Sequence, residues 1–221
     1  MYCRIVTMML ASEGYPFILG FLALTILVGG FVPWGMPIPL VLTLFMLYFF
    51  RDPERRIPEG ENIFVSPADG KVILISDNPP THPLLKGSDG GVVGVSIFMS
   101  PLDVHVNRVP CDGTVEAVVH TPGKFFSAFR HEASLLNENI AMLLNTKHGR
   151  VLVRQVAGFL ARRAVCRVKP GDSLRKGERY GIIKFSSRVD LYLPKNTLIK
   201  IALGDRVKAG ETVIGELPSV N

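Results

Sequence analysis

The chain is poor in cysteine: three in 221 residues, Cys3, Cys111 and Cys166, with no CxxC pair among them. That pattern argues against a disulfide framework and against a zinc site, and it suits a reducing compartment. There is no block of Lys and Arg and no interleaving of aromatic with basic residues. The surplus of 25 Lys+Arg over 19 Asp+Glu, a net charge of +6, therefore points to anionic lipid headgroups rather than nucleic acid. No small-residue cleavage site follows the first apolar run, which weighs against a cleaved signal peptide.

Long apolar runs, by contrast, are present. Apolar residues make up 48% of the chain, and the excess is local. Phe17 to Val32 reads FILGFLALTILVGGFV, 16 residues without a charge, and IPLVLTLFMLYFF runs from Ile38 to Phe50. As helices they span roughly 24 and 20 Å, short for a full bilayer crossing. PWGMP between them reads as a turn, with Trp34 at interface depth. Arg4 precedes the first run, and Arg51, Arg55 and Arg56 follow the second. The positive-inside rule then puts both ends on the cytoplasmic side. The expectation is a membrane-associated helical hairpin over residues 15–50 that dips into the bilayer or crosses it. A buried helix pair in a soluble protein is the competing reading.

From Arg51 the pattern changes. Short β-rich runs follow one another (VSIFM, TVEAVV, VLVRQVAGFLA, AVCRV, YGIIKF, VDLYL, LIKIAL, TVIGEL), separated by Gly, Pro and Asp. They predict a mainly β (α+β) domain over residues 51–221. ASLLNENIAMLLN, Ala133 to Asn145, reads as a helix with a polar centre. Two stretches share the pattern G-D-x-x-x-x-G-E, from Gly171 to Glu178 and from Gly204 to Glu211. Their glycines permit tight turns with positive φ, and Asp favours the turn start. The repeat is similar to the hammerheads of lipoyl- and biotinyl-type sandwiches, so a flattened, barrel-sandwich-like β barrel is expected. No Met-Lys-Met setting for a carrier lysine accompanies it.

Three polar clusters could carry chemistry. SPADGKV places Asp69 in a turn, and alone it is ordinary turn chemistry. SPLDVHVNRVP places Asp103, His105 and Arg108 within six residues. On an extended segment Asp103 and His105 share a face, and a carboxylate beside a histidine fixes its tautomer and raises its basicity. A structural histidine beside a turn is the plainer account. Finally, IIKFSSRVDLYLP alternates like a strand but holds two adjacent serines, Ser186 and Ser187. A serine in a bend can attack the carbonyl just before it; a polar kink is the bland alternative.

Taken in order, SPADGKV, SPLDVHVNRVP, TPGKF, NEN, QVAGFLARR and GIIKFSSRVDLYLP resemble the phosphatidylserine decarboxylases, most of all the short, archaeal-type form, with its N-terminal hydrophobic hairpin followed by FFRDPER. The resemblance runs from about residue 15 to residue 217. It implies that the chain cleaves itself before Ser187, giving a β chain of residues 1–186 and an α chain of residues 187–221, 221 − 186 = 35 residues. Ser187 would become a pyruvoyl group that forms a Schiff base with the amine of phosphatidylserine and accepts the electrons left by CO₂. Asp69 and His105 would activate the serine, and His105 would return a proton to the carbanion. No metal is implied. Membership further implies a cell-membrane enzyme on the cytoplasmic face, with phosphatidylserine as partner and a homodimer as an open option. Arg108, Lys124 and Arg188 are candidates for the lipid phosphodiester by charge alone.

Two departures matter. The long form of the family carries a second histidine where this chain has Arg108, so His105 acts alone or a group such as His120 helps. The family cuts at Gly-Ser, whereas here Ser186 precedes Ser187. An added Cβ and hydroxyl crowd the attacked carbonyl. The chain then cleaves, cleaves slowly, or stays an uncleaved, non-catalytic member. A different class also remains open: a membrane-anchored serine-lysine protease using Ser187 with Lys184 or Ser100 with Lys124. A non-enzymatic membrane adaptor is the third option.

Overall fold

The computed structural model describes residues 9–80, 82–86, 91–124, 137–158, 163–184 and 187–218. The chain forms two compact units, Met1–Glu54 and Arg55–Asn221.

In the first unit, strands β1 (Met9–Leu10) and β2 (Arg51–Asp52) pair antiparallel, and α1 (Tyr15–Phe31) and α2 (Pro37–Phe49) are joined through the 3₁₀ turn Pro33–Gly35. Pro16 and Pro37 stand in the first turns, where a missing N–H costs no helical bond. The hydroxyls of Thr25 and Thr43 meet at 3.1 Å between the helices, each also within reach of the carbonyl four residues earlier. Gly14 lets the chain close: a Cβ there would lie 2.4 Å from the Phe50 ring, which stacks on Phe17 at 5.6 Å. Leu19, Ile26, Phe31, Trp34, Ile38 and Val41 are exposed. The helical stretch Ser12–Phe31 is long and apolar enough to cross a bilayer, and α2 is shorter.

The second unit is mainly β, as expected. Its eight-stranded antiparallel sheet curls into a half-barrel. The strands in spatial order are β11 (Ser173–Leu174), β7 (Gly113–Thr121), β8 (Asn139–Thr146), β9 (Gly149–Ala157), β13 (Ser187–Pro194), β5 (Val92–Met99), β4 (Gly70–Ser76) and β15 (Arg206–Val207). Two three-stranded sheets complete the unit. One orders β10 (Arg163–Cys166), β12 (Arg179–Lys184) and β6 (Val106–Arg108); the other orders β14 (Leu198–Ile199), β16 (Val213–Glu216) and β3 (Ile63–Val65). Val189, Leu191 and Leu193 of β13 join Val95, Ile97 and Met99 of β5 in the main core. A smaller cluster on the opposite face packs Leu85 against Ala141, Leu143, Leu152 and Tyr192.

The repeated G-D-x-x-x-x-G-E stretches are two copies of one hammerhead, each placing a strand, β11 or β15, on one edge of the sheet. Their glycines match: φ is 93° at Gly171 and 95° at Gly204, 78° at Gly177 and 76° at Gly210. So do their bonds. Gly171 N donates to Val115 O as Gly204 N does to Val72 O, and Gly177 N to Val109 O as Gly210 N does to Ser66 O. The copies meet where a Cβ on Gly210 would lie 3.6 Å from Gly177 Cα.

The helix expected over Ala133 to Asn145 is corrected. Residues 133–136 lie outside the described residues, and Asn139–Thr146 is strand β8, hydrogen-bonded to β7 and β9. The reason is burial on both faces. Met142 and Leu144 enter the main core, and Ala141 and Leu143 enter the smaller cluster. A strand covered on both sides loses the alternation that marks strands in sequence and reads as one apolar run.

Candidate active site

Ser187 opens β13 and is fully buried. Its neighbours across the sheet are Met99 on β5 and Ala157 on β9. Its hydroxyl donates to the Met99 thioether, 3.4 Å away. A thioether is a weak acceptor, so among the described residues this buried hydroxyl has no strong partner of the kind such groups ordinarily have. Ser186, the other half of the expected cleavage site, lies outside the described residues.

His105 is also fully buried. It immediately precedes β6, which pairs with β12, and Ile183 N donates to the His105 carbonyl at 3.3 Å. The histidine thus flanks the strand whose continuation leads into Ser187. Its Nδ1 is 3.0 Å from the main-chain oxygen of Asp103. A carbonyl only accepts, so Nδ1 carries the proton and Nε2 is the basic nitrogen. The expectation that the Asp103 carboxylate fixes this tautomer is corrected: that carboxylate accepts from Ser100 N at 2.8 Å and Arg206 Nη1 at 3.2 Å. It closes the SPLD turn, while its backbone orients the ring.

Asp69 precedes β4, at the end of the sheet where β13 begins. One strand, β5, lies between β4 and β13, so two strand spacings, about 10 Å, separate them. Among the described residues the Asp69 carboxylate bonds to Arg55 Nη2 at 2.8 Å and to Ala209 N at 2.7 Å. Burial raises its pKa, and Arg55 and the Ala209 amide oppose that shift. Gly70 beside it is obligatory: a Cβ would sit 2.1 Å from Phe98 O.

The basic candidates separate. Arg108 is buried between the two hammerheads, donating from Nη1 to Gly177 O at 2.9 Å, with its stem against Gly210. Lys124 is exposed, and its carbonyl accepts from Glu138 N. Arg188 is buried on the sheet face opposite the core. His120, the alternative helper, is half-exposed and 3.2 Å from Glu138. Ser100 Oγ accepts from Leu102 N at 3.4 Å, a turn role. The two described thiols are poor nucleophiles: burial pushes Cys111 up to about 12 and raises Cys166.

Sequence reasoning missed a set of buried side-chain amides around Ser187. Asn107 Nδ2 lies 3.7 Å from the same Met99 sulfur, and its Oδ1 accepts from Gln155 Nε2 at 2.8 Å. Asn137 Nδ2 donates to the carbonyl of Ala157, the residue facing Ser187, at 2.7 Å. These amides sit inside the NEN, NRVP and QVAG stretches, and their one sequence signal is a polar residue inside an apolar strand run.

The sequence profile described as phosphatidylserine decarboxylase matches residues 42–215, more than half of the chain. The chain belongs to the phosphatidylserine decarboxylase family. Its relatives include the phosphatidylserine decarboxylase proenzyme of Citrifermentans bemidjiense, 47% identical over 217 residues, covering 95% of this chain and 97% of the relative. The proenzyme of Syntrophus aciditrophicus is 46% identical over 209 residues, 93% of this chain and 96% of its own. That of Desulfotalea psychrophila is 44% identical over 210 residues, with 94% and 96% covered. Family membership gives the buried Ser187 and His105 a common context that the serine-lysine pairing lacks.

Proposed function

We propose that this chain is a phosphatidylserine decarboxylase, converting phosphatidylserine to phosphatidylethanolamine and CO₂, and that it matures by cleaving itself between Ser186 and Ser187. The observation that carries the reading is the Ser187 hydroxyl, fully buried at the mouth of a strand and, among the described residues, with only a thioether to donate to. Such a group is costly in a purely structural role. It suits a nucleophile whose proton is to be taken.

In maturation, Ser187 Oγ attacks the Ser186 carbonyl carbon and the peptide bond becomes an ester. A base removes the Ser187 α-proton, the Ser187 Cβ–Oγ bond breaks, Ser186 leaves as a carboxylate, and the enamine left behind takes up a proton at Cβ to become an imine. Water then replaces the new terminal nitrogen, which departs as ammonia, and the α-carbon becomes a ketone. His105 Nε2 is the base, with Nδ1 held by the Asp103 carbonyl. Asn137 fixes the β9 end opposite. Asp69, bound to Arg55 and Ala209, positions the start of β4.

The residues fit a pyruvoyl group at Ser187: the site is buried, and the acceptor bonded to the hydroxyl among the described residues is soft and uncharged. That group supplies an electron sink for the pair left when CO₂ departs. His105 supplies the proton that replaces the carboxyl group. The hairpin and the net charge of +6 keep the enzyme at the cytoplasmic face of the membrane, where its substrate resides.

Intact mass spectrometry of the purified protein tests this. Residues 1–186 and a 35-residue fragment without a free N-terminal amine are expected, and Ser187→Ala abolishes both. A single full-length species from the unsubstituted chain overturns the reading.

A further inference from the structure

Ser187 shares its sulfur with a second donor. Its hydroxyl lies 3.4 Å from Met99 Sδ, and Asn107 Nδ2 lies 3.7 Å from the same atom, so the two donors are about 7 Å apart at most. They come from different sheets, Ser187 from the start of β13 and Asn107 from the middle of β6. Gln155 joins them from β9, and all three are fully buried. Gln155 stands opposite Val189, two residues before Ala157, which faces Ser187. By strand alternation it lies on the core face of β9, with Val153 and Ala157. Gly181 on β12, the cross-strand neighbour of Asn107, makes room for the amide: a Cβ there would lie 3.0 Å from Gln155 Nε2 and 2.3 Å from Val165 O.

The bonds fix which way each amide points. Gln155 Nε2 lies 3.4 Å from Val165 O, and a carbonyl only accepts, so the nitrogen belongs on that side. The same nitrogen donates to Asn107 Oδ1 at 2.8 Å. With its oxygen turned to Gln155, Asn107 turns its NH₂ group toward Met99 and Ser187. That nitrogen carries two hydrogens, yet its acceptor among the described residues is a thioether. Gln155 Oε1 is buried and accepts nothing among the described residues. Amides in a purely structural pair ordinarily have more of their groups bonded. A thioether is a soft, weak acceptor, so the hydroxyl and the amide leave it at little cost.

We propose that Asn107 is the amide donor that stabilises the oxyanion of self-cleavage, and that Gln155 is the positioning residue that aims it. The inference rests on the maturation proposed above. When Ser187 Oγ attacks, the Ser186 carbonyl carbon becomes tetrahedral, the C=O electron pair moves onto its oxygen, and the hydroxyl proton goes to His105. The oxyanion is then two bonds from Oγ, roughly 2.3 Å. A donor about 2.9 Å beyond that oxygen falls within the span between Ser187 Oγ and Asn107 Nδ2. Asn107 gives up no proton. Its N–H bond to the oxygen strengthens as charge develops and relaxes when the Ser187 nitrogen leaves with the proton and the ester carbonyl forms. The described side-chain partners of Ser187, Asn107 and Gln155 are uncharged. In so buried a setting a fixed amide dipole counts for more than it does in water.

The experiment follows full-length precursor made by pulse-labelled cell-free synthesis, with the 35-residue fragment read over time on a denaturing gel. Asn107→Ala should slow its appearance about a hundredfold. Gln155→Met, close in volume, leaves Asn107 present but unaimed and should slow it about tenfold. The double variant should be no slower than Asn107→Ala alone, because Gln155 acts through Asn107; independent structural damage would multiply. Hydroxylamine, which splits an ester and spares ordinary peptide bonds, reads the step. It should release no more fragment from Asn107→Ala than appears without it, because no ester accumulates. A folded Asn107→Ala or Gln155→Met chain that cleaves at the unsubstituted rate overturns the proposal. So do multiplying effects, or a hydroxylamine-labile ester that builds up in Asn107→Ala. If circular dichroism shows Asn107→Ala unfolded, Gln155→Met alone decides by the same criterion. An unsubstituted chain that stays full length sinks the maturation reading and this inference with it, whereas normal cleavage in the variants sinks the inference alone.

Discussion

In the maturation proposed above, Ser187 supplies the hydroxyl and Ser186 supplies the carbonyl to be attacked, with a Cβ that a glycine would lack. Removing that Cβ relieves crowding in the attack geometry. Ser186→Gly is therefore expected to speed appearance of the 35-residue fragment, followed on a denaturing gel during expression; an unchanged rate means that Ser186 is no obstacle. Arg108 and Arg188 show how far charge alone carries. Both were candidate phosphate ligands in sequence, yet Arg108 bonds to Gly177 O between the hammerheads. Arg108→Met should then act on stability, costing about 2 kcal/mol for a charged buried hydrogen bond. Thermal denaturation should show Tm lower by several degrees, with phosphodiester affinity intact. Ser187 and His105 could be put forward as candidates from sequence because their motifs are local. Their setting was not: Met99, Asn107 and Gln155 reach it from three different strands, and no spacing in one sequence encodes that.

At the scale of elements, the hammerheads were the most legible feature, because turns with positive φ demand Gly at fixed offsets and Asp at the turn start. β8 was the least legible, since packing on both faces erased its period. The segment around Pro83–Leu85 lay between these extremes, being rich in proline but without periodicity. Its 3₁₀ turn Pro83–Leu85 is capped by His82, whose Nδ1 accepts from Leu84 N at 3.2 Å. That bond needs the neutral ring. Burial, then the Arg154 charge, lower the His82 pKa in the folded state, so the unfolded segment takes up a proton more readily than the folded one. The cap is fully effective above the ordinary histidine value, about 6.5, and weakens as pH falls below it. Hydrogen exchange at the Leu84 amide, corrected for intrinsic rate, should show less protection at pH 5.5 than at pH 7.5. Equal protection at both would mean that the cap does not hold the turn.

At the scale of the whole molecule, the two compact units divide by chemistry. Met1–Glu54 contains the exposed apolar helices and none of the groups proposed for maturation. Ser187, His105 and Asp69 all lie in Arg55–Asn221, which has its own core from Phe64 to Leu217. The proposed self-cleavage is intramolecular and draws only on groups of the second unit, whereas the first unit supplies the exposed apolar helices that would meet a bilayer. Deleting residues 1–54 should therefore leave the 35-residue fragment forming. It should sharply reduce co-sedimentation with vesicles of phosphatidylcholine, in which the basic surface finds no net counter-charge. Vesicles containing phosphatidylserine should recover part of that loss at low salt and release it at high salt, because charge alone then holds the protein. A truncated chain that fails to cleave while keeping its β-sheet circular dichroism would show that the hairpin contributes to maturation as well as to anchoring.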